Sequence, residues 1–267
     1  MEASRIEILV MNNITVSIIT VCFNSEQTIE RTIQSVLNQT YANIEYIIVD
    51  GKSADGTMDI IEKYKESFGE KLIVVSEKDD GIYDAMNKGI KLASGELIGI
   101  INSDDYYEKN AVEVIVNAHQ KNKENNILAV YYGGTAMVSD GAVKRIEYSN
   151  HEKLEESMIT HPSCFVTSKT YEELGCFDVQ YCCVADYDFM LRAKKSGKVM
   201  FVPISEPIAN FSLGGTCSTS KAYIDLLQLK INYGMMSYFE GNIEIMKAKL
   251  AEGMKKRNMK PIRLRKR

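Results

Sequence analysis

Short apolar runs alternate with amphipathic stretches along the first half of the chain. The runs at 15–21, 44–49 and 97–101 are rich in β-branched residues and too short for helices, so they predict buried strands. Between the first two runs, apolar residues recur at helical spacing from Ile29 to Leu37. Strands that alternate with helices in this way predict an α/β protein with a mostly parallel, Rossmann-like central sheet flanked by helices.

The pattern changes in the second half of the chain. Two extended stretches, at 127–134 and 143–148, flank Ser139-Asp140-Gly141 and predict a hairpin. A final short strand is expected at 199–203, and apolar residues at 223–250 predict helices. These elements suggest a helical appendage at the C-terminal end.

Acidic residues follow several of the predicted strands. Asp50 ends the second strand, Asp79 follows a third, short strand expected at 72–75, and Asp104-Asp105 follow the run at 97–101. The carboxyl ends of parallel strands meet at one edge of a sheet, where open α/β sheets bind ligands. Carboxylates gathered there repel each other unless a cation or sugar hydroxyl groups lie among them. Taken alone, Asn102-Ser103-Asp104-Asp105 is typical of a solvated turn with a helix cap, and the neighbouring acids favour a site instead.

Composition places the chain among ordinary globular proteins. It has 267 residues, of which 45% are hydrophobic and 25% charged, and no apolar run reaches the length of a membrane span. Its six cysteines lack metal-site spacing, so we expect reduced thiols and a cytoplasmic location. Met11, just before the first strong strand, is a candidate for the biological start.

The charge is distributed unevenly. Residues 254–267 hold eight Lys or Arg and no acid; since the whole chain carries −4, the remainder carries −12. Such a tail favours an anionic membrane surface, with the protein peripheral at an inner membrane, and a solvated end is the alternative. The helices before it could instead form a dimer face. We expect no nucleic-acid partner.

Two common nucleotide-binding motifs are missing after the predicted strands. Neither G-x-G-x-x-G nor G-x-x-x-x-G-K-[ST] follows one, which counts against a dinucleotide dehydrogenase and a P-loop ATPase. Acids suited to a base, a ribose and a metal fit a nucleotide-sugar better.

Five segments in order resemble family 2 glycosyltransferases of the GT-A fold, and in particular bacterial enzymes of surface-polysaccharide assembly. The resemblance runs from about Val16 to Thr219 and is carried by residues 16–24, 35–41, 48–57, 79–90 and 102–105. It implies a GT-A domain at 14–220, followed by C-terminal helices and the basic tail at 221–267.

The resemblance also implies roles for individual residues. The uracil and ribose of the donor would be bound by Thr20, Val21, Phe23, Asn24, Asp50, Ser53 and Asp79, with Asn102 and Ser103 near the ribose. Asn87 and Gly89 would shape the wall behind the base. Asp104 would hold Mn²⁺ or Mg²⁺, with Asp105 as a second ligand or only as the cap of the next helix. Asn102 stands where the family has the first acid of its D-x-D motif, which leaves one charge fewer at the metal.

Asp186 falls where the family has its catalytic base, and Ala185 replaces an acid that often precedes it. An inverting transfer needs one carboxylate to accept the proton of the acceptor hydroxyl. A helix cap is the alternative role for Asp186, and the two roles are compatible. His161 could reach the metal or acceptor pocket, although a hydrogen-bonded structural histidine is the commoner case. The loop at 211–216 resembles a lid over the donor, with a plain turn as the alternative.

Together these features predict an inverting, metal-dependent glycosyltransferase. It would move a sugar from a nucleotide-diphospho-sugar, most simply a UDP-sugar, to a saccharide or lipid-linked saccharide in bacterial polysaccharide biosynthesis. A sugar nucleotidyltransferase is one alternative, although Cys22-Phe23-Asn24-Ser25 is not the Gly-rich, basic loop it needs. A non-catalytic nucleotide- or carbohydrate-binding module is another, and it would not need Asp186.

Overall fold

The computed structural model describes residues 14–122, 128–214 and 220–258, with side chains to residue 251. The first half alternates strands and helices as predicted, and its elements are β1 (Val16–Cys22), α1 (Ile29–Leu37), β2 (Ile44–Asp50), α2 (Thr57–Lys63), α3 (Lys65–Phe68), β3 (Leu72–Ser76), α4 (Ile82–Leu92) and β4 (Leu97–Asn102). The segment after β2 forms two short helices, α2 and α3, which meet at Tyr64.

The second half supplies the remaining elements, which are β5 (Tyr106–Tyr107), α5 (Ala111–Lys121), β6 (Ala129–Ser139), β7 (Ala142–Glu147), β8 (Cys164–Thr167), α6 (Ser168–Leu174), α7 (Ala185–Ser196), β9 (Met200–Ser212), α8 (Ser220–Asn232) and α9 (Tyr238–Asn258). The predicted hairpin is confirmed as β6 and β7. The strand predicted at 199–203 is too short, because β9 continues along β6 and then pairs with β5.

The strands of the described residues form one nine-stranded sheet in the order β3-β2-β1-β4-β8-β6-β9-β5, with β7 paired to β6. Pairing is parallel from β3 to β4. Beyond β4 the sheet is mixed, since β8 runs antiparallel to both β4 and β6. The α/β class is therefore confirmed, whereas the expectation of a mostly parallel sheet holds only for the first half.

The register of the parallel strands positions their carboxyl ends side by side. Cys22 at the end of β1 lies opposite Asp50, and Val21 lies opposite Asn102. Asp50 in turn pairs with Ser76 of β3. Because β1 and β2 are almost wholly buried, this part of the sheet is a rigid support for the loops that follow.

The chain forms two compact units. The first comprises the residues up to Val179 together with Ala185–Leu213, and it contains the whole sheet. The second comprises Gln180–Val184 and the residues from Gly214 onward, which include α8 and α9. In the described part of the chain, no helix is both long enough and apolar enough to cross a bilayer. The basic tail beyond residue 258, residues 1–13 with Met11, and Gly215 and Thr216 of the predicted lid lie outside the described residues.

Candidate functional site

The loops that follow β1 and β2 are joined to each other by hydrogen bonds. The backbone N–H of Asn24 donates to Ser53 Oγ (2.8 Å), and Asn24 Oδ1 accepts from the N–H of Ala54 (2.9 Å). The N–H of Ser25 donates to Thr57 Oγ1 (2.7 Å). Asn24 has φ +49°, a left-handed conformation that Asn tolerates better than most residues. The two loops therefore form one continuous rim at the carboxyl edge of the sheet.

Asp50 holds the second of these loops in place through its buried carboxylate. Its carboxylate is fully buried and accepts hydrogen bonds from the N–H and Oγ of Ser53 and from Ser76 Oγ (2.6 Å). Burial of a carboxylate is tolerated when its oxygens are hydrogen-bonded in this way. The structure thus shows Asp50 holding the loop after β2, and its predicted contact with a ribose stays a prediction.

Phe23, Gly51 and Asp79 bring the ends of three strands together. A Cβ at Gly51 would lie 3.1 Å from Asp79 Oδ2 and 3.3 Å from the ring of Phe23, so glycine permits this close approach. The Phe23 side chain is 63% exposed, which offers an aromatic face beside the acid. An exposed aromatic ring next to a carboxylate is suited to a nucleobase.

Lys88 holds the acids around Asp79. Its Nζ lies 2.6 Å from Asp79 Oδ1, 2.9 Å from Glu77 and 3.2 Å from Asp84. The hydrogen bonds that Lys88 donates to Asp79 and then to Glu77 raise its pKa, so Lys88 remains charged. Lys88 therefore fixes one oxygen of Asp79 and neutralises part of this acidic edge.

Four of the predicted donor-site residues face the protein interior. The side chains of Thr20 and Val21 are buried in β1, where the Thr20 hydroxyl accepts from Tyr46 (3.0 Å). The side-chain amide of Asn87 donates to the carbonyl oxygen of Phe177 and accepts from its backbone N–H, at 2.9 Å each. Gly89 lets α4 lie directly against β1. These residues form the wall behind the rim, and none of them offers a free polar side-chain atom to it.

The turn after β4 carries the predicted metal ligands. Ser103 Oγ is hydrogen-bonded to Ser25 Oγ (2.8 Å), which ties this turn to the loop after β1. Asp105 is buried and accepts from the N–H of Ser212 (2.8 Å) and from Asn102 Nδ2 (3.4 Å). Burial first, and then the charge of Asp104, raises the pKa of Asp105 to about 7. Two adjacent carboxylates thus resist being charged together.

Arg31 and Ser212 hold the same turn from outside. Arg31 donates to the backbone oxygen of Asp104 (2.7 Å) and to Ser212 Oγ (3.0 Å). Its guanidinium also lies 4.4 Å from the ring centroid of Tyr106. Ser212 Oγ donates to the same Asp104 oxygen (2.5 Å). These contacts fix the backbone of Asp104 and leave its carboxylate without a hydrogen bond or ion pair among the described residues.

The oxygen atoms of this turn fit a divalent cation. Asn102 Oδ1 is buried and has no hydrogen-bond partner in the described part of the chain, and the Asp104 carboxylate is unengaged. Carboxylate and amide oxygens are the ligands that Mg²⁺ and Mn²⁺ prefer. Within residues 14–122, 128–214 and 220–258, no three His, Cys, Asp or Glu side chains form a complete metal cage. Any cation held here would complete its shell with donor phosphate or water.

Asp186 lies in the first turn of α7 and is 5% exposed. Its Oδ1 accepts from the Tyr83 hydroxyl (2.7 Å), and its Oδ2 lies 3.4 Å from Nδ1 of His161. Burial raises the pKa of Asp186, but the hydrogen bond and charge of His161, together with the Tyr83 hydroxyl, lower the pKa by more. The net shift is downward, so Asp186 is a carboxylate at neutral pH.

The sequence alone did not single out Tyr83, Arg31, Lys88 or Ser212. Tyr83 and Lys88 lie inside the segment 79–90 that carries the family resemblance, so that segment was the available signal. Arg31 and Ser212 are 181 residues apart, and nothing in the local pattern predicts that they meet.

This parallel half-sheet, with acids at its carboxyl edge and a mixed second half, is the architecture of the GT-A glycosyltransferases. The chain belongs to glycosyl transferase family 2, whose family model matches residues 17–175. A glycosyltransferase of PGL/p-HBAD biosynthesis from Mycobacterium bovis is 26% identical over 82% of this chain and 86% of its own length. Chondroitin synthase of Pasteurella multocida is 30% identical over 68% of this chain but only 19% of that enzyme.

Solved structures show the same fold. Staphylococcus aureus TarS in complex with UDP-GlcNAc superposes with a TM-score of 0.64 at 19% identity, covering 81% of this chain and 66% of that one. A longer TarS chain matches over 39% of its length. The mannosyltransferase PcManGT of Pyrobaculum calidifontis, in complex with GDP-Man and Mn²⁺, has a TM-score of 0.60 at 17% identity and covers 88% of this chain and 69% of its own.

Proposed function

We propose that this glycosyltransferase moves a sugar from a nucleotide-diphospho-sugar, most simply a UDP-sugar, to a hydroxyl group of a saccharide or lipid-linked saccharide, with inversion at the anomeric carbon. One observation carries the proposal. A single unit of the fold contains both an oxygen-rich turn suited to a cation and diphosphate, Asn102–Asp105, and a buried carboxylate, Asp186. The complexes of TarS with UDP and UDP-GlcNAc support a UDP-linked donor.

The residues of the chain divide the work between donor and acceptor. Phe23 and Asp79, held by Gly51 and Lys88, receive the nucleoside at the rim. Asn102, Asp104 and Asp105 would hold Mn²⁺ or Mg²⁺, which when bound offsets the charge that develops on the leaving diphosphate. The Mn²⁺ in the PcManGT complex supports such an ion. Asp186 provides the negative charge needed where the acceptor hydroxyl loses its proton.

The groups at the site support inversion. A single displacement needs a base and a stabilised leaving group, and no covalent nucleophile. Asp186, with its partners Tyr83 and His161, would act as the base, and the turn at 102–105 would stabilise the leaving group. The names of the relatives, PGL/p-HBAD biosynthesis glycosyltransferase and chondroitin synthase, support a saccharide or glycolipid acceptor in bacterial polysaccharide assembly.

A donor screen tests this proposal directly. Purified full-length protein is incubated with Mn²⁺ and a panel of UDP-, GDP- and dTDP-sugars, and nucleoside diphosphate release is measured with and without saccharide acceptors. We expect UDP release from one or a few UDP-sugars, its loss with EDTA, and its strong reduction in Asp104→Asn. Full activity after EDTA would contradict the metal role. Pyrophosphate formation from a nucleoside triphosphate and a sugar phosphate would instead favour a nucleotidyltransferase, and binding without turnover would favour a carbohydrate-binding module.

The C-terminal unit suggests where the acceptor is met. Phe239, Met246 and Leu250 are exposed on α9 at spacings of seven and four residues, which places them on one helix face. The basic tail follows this face in sequence. An apolar stripe followed by cationic residues favours an anionic membrane surface carrying a lipid-linked acceptor. Flotation with anionic and neutral vesicles, comparing the full chain with one ending before Met254, tests this; a dimer that binds neither vesicle would favour the oligomer face.

A further inference from the structure

The hairpin formed by β6 and β7 carries three large apolar side chains that are exposed to solvent. Val143, Ile146 and Tyr148 are 53%, 46% and 57% exposed. In the sheet, Val143 lies opposite Val138, and Ile146 lies opposite Ala136. Residues directly opposite each other share a face of a sheet, and so do alternate residues of one strand. Val143 and Ile146 therefore lie on the same face of the hairpin.

Tyr148 completes this face because Gly134 leaves room for its ring. A Cβ at Gly134 would lie 2.7 Å and 2.9 Å from two ring carbons of Tyr148, and 3.3 Å from the γ2 methyl of Ile146. The ring thus lies directly against the backbone of β6, while Tyr148 remains more than half exposed. A tyrosine held in this way offers a large contact surface at a low cost in conformational entropy. We call Val143, Ile146 and Tyr148 the hairpin platform.

Two of the charged side chains of β7 lie on the opposite face from the hairpin platform. Arg145 and Glu147 lie opposite Met137 and Thr135, and they form an ion pair with each other. Lys144 falls in the register shift between the two sets of pairs. The platform itself consists of uncharged side chains. Such a surface suits the C–H face of a sugar ring better than an anionic lipid headgroup or a nucleic acid, which require cationic residues.

The hairpin platform and Asp186 lie on the same side of the sheet. Tyr132, two residues before Gly134 in β6, lies opposite Cys164 of β8, so these three positions share a face. His161, which lies 3.4 Å from Asp186, opens the turn that leads directly into Cys164. Burial first, and then the charge of Asp186, raises the pKa of the Cys164 thiol. The carboxylate therefore approaches the sheet from the face that carries the platform.

Strand pairing also brings the hairpin platform close to the turn at 102–105. Val138, which lies opposite Val143, pairs on its other side with Ser212 of β9. The N–H of Ser212 donates to Asp105 (2.8 Å). Because neighbouring strands are about 4.8 Å apart, Val143 lies about 10 Å from Ser212. This separation is close to the length of a disaccharide.

From this arrangement we infer that the hairpin platform is an acceptor subsite, which binds the sugar unit next to the one that receives the transferred sugar. The C–H face of that unit stacks on the ring of Tyr148, and Val143 and Ile146 extend the apolar contact. The receiving unit then lies between the platform and the turn at 102–105, on the face of Asp186. The acceptor is accordingly a disaccharide or a longer saccharide. Its assignment as an acceptor rests on the proposed function.

A tryptophan placed in the platform reports saccharide binding without any turnover. The sequence contains no tryptophan, so Tyr148→Trp introduces a single indole. The full chain, with UDP and Mn²⁺, is titrated with methyl β-glucoside, methyl β-galactoside, cellobiose, lactose and diacetylchitobiose. We expect a saturable change in indole emission with one or more of the disaccharides, and weaker binding of the methyl glycosides. Tyr238→Trp, at an exposed tyrosine of the second compact unit, is the matched control and should show no saturable change.

The inference would be overturned if none of these sugars gave a saturable change at position 148. An equal change at position 238 would overturn it as well, because the response would then not come from the platform. A methyl glycoside that bound as tightly as its disaccharide would contradict the assignment to a disaccharide or longer acceptor.

Two further variants separate the ring from its support. Tyr148→Ala should weaken binding of the disaccharide roughly 3- to 10-fold, the range for a lost aromatic stacking contact, and Tyr148→Phe should retain binding. Gly134→Ala should also weaken binding, because the added methyl group displaces the exposed ring of Tyr148. With the bound disaccharide as acceptor, the loss should appear in KM and not in kcat, with UDP affinity near that of the wild type. A lower thermal midpoint with unchanged saccharide affinity in Tyr148→Ala would show a purely structural role and overturn the inference.

Other occupants of the hairpin platform give different results, and each of them would overturn the inference. A saturable change with octyl β-glucoside below its micelle concentration, but with none of the other sugars, would indicate a lipid chain. A wild-type dimer that Tyr148→Ala converts into a monomer, measured by sedimentation, would indicate a second copy of the chain. Turnover tests the proposed function separately. Disaccharide binding at position 148 in a protein that acts on no nucleotide-sugar would support the platform and contradict the proposed function.

Discussion

Gly89 allows α4 to lie directly against the central strand β1, and this contact gives a prediction of definite size. A Cβ at Gly89 would be 2.4 Å from the γ2 methyl of Ile19 and 3.3 Å from two further carbons of that side chain. Ordinary carbon contacts are about 3.5–4 Å, so an alanine overlaps the methyl by more than 1 Å. Ile19 is 0% exposed in the middle of the sheet, which leaves it little room to move.

Two effects of Gly89→Ala oppose each other. Alanine favours the helix over glycine by about 1 kcal/mol. Overpacking a rigid core costs about 1–3 kcal/mol. Because the overlap exceeds 1 Å, the packing cost should lie in the upper part of this range, at about 2–3 kcal/mol. We therefore expect a net loss of about 1–2 kcal/mol in the free energy of unfolding. Urea denaturation followed by circular dichroism measures this change.

A double-mutant cycle isolates the contact. Ile19→Leu moves the branch away from Cβ at nearly constant volume, so it should remove the overlap and make Gly89→Ala less costly by about 1 kcal/mol. Lys91→Ala, on the exposed face of the same helix, is the control and should change stability by less than about 0.5 kcal/mol. If Gly89→Ala matches or exceeds the wild type in stability, the close approach of α4 to β1 is not as described.

Three further predictions concern the site. Arg31→Ala should weaken UDP binding in the presence of Mn²⁺ by roughly 5- to 30-fold, because about 1–2 kcal/mol of hydrogen bonding and ring stacking by Arg31 holds the Asp104 turn. Arg31→Lys should lose less UDP affinity. Unchanged UDP affinity of both variants in calorimetry would argue against this role. Tyr83→Phe should lower the free energy of unfolding by about 1.5–3 kcal/mol, since it removes a donor to a buried carboxylate, whereas Tyr64→Phe, whose hydroxyl donates to exposed Glu30, should cost under about 1 kcal/mol. Because the folded-state pKa of Asp186 is lowered, its charge stabilises the fold above its unfolded pKa of about 4. The stability difference from Asp186→Asn should therefore shrink as the pH falls below about 4, and a difference that grows between about pH 4 and pH 2 would reverse the assigned sign.

Local patterns were sufficient to predict the first half of the fold. The runs that form β1, β2 and β4 are apolar on both faces. Burying both faces of such strands requires helices that cover both faces of the sheet. The placement of Asp50 and Asn102 at one edge followed from the parallel arrangement, because register and strand direction come from the same pattern. The mixed second half was less predictable, since antiparallel insertion of β8 between β4 and β6 depends on partners distant in the chain.

The sequence by itself determined which residue types reach the carboxyl edge of the sheet, and the tertiary structure decided what each of them faces. Asp50 and Asn87 turn their polar atoms toward the protein, whereas the Asp104 carboxylate has no hydrogen bond or ion pair among the described residues. Tyr83 meets Asp186 across 103 residues of sequence, a contact that no local period encodes. Periodicity reports only whether a side chain is buried. The identity of its neighbour is set by how β4, β8 and α7 pack, and that packing alone brings His161, Tyr83 and Asp186 together.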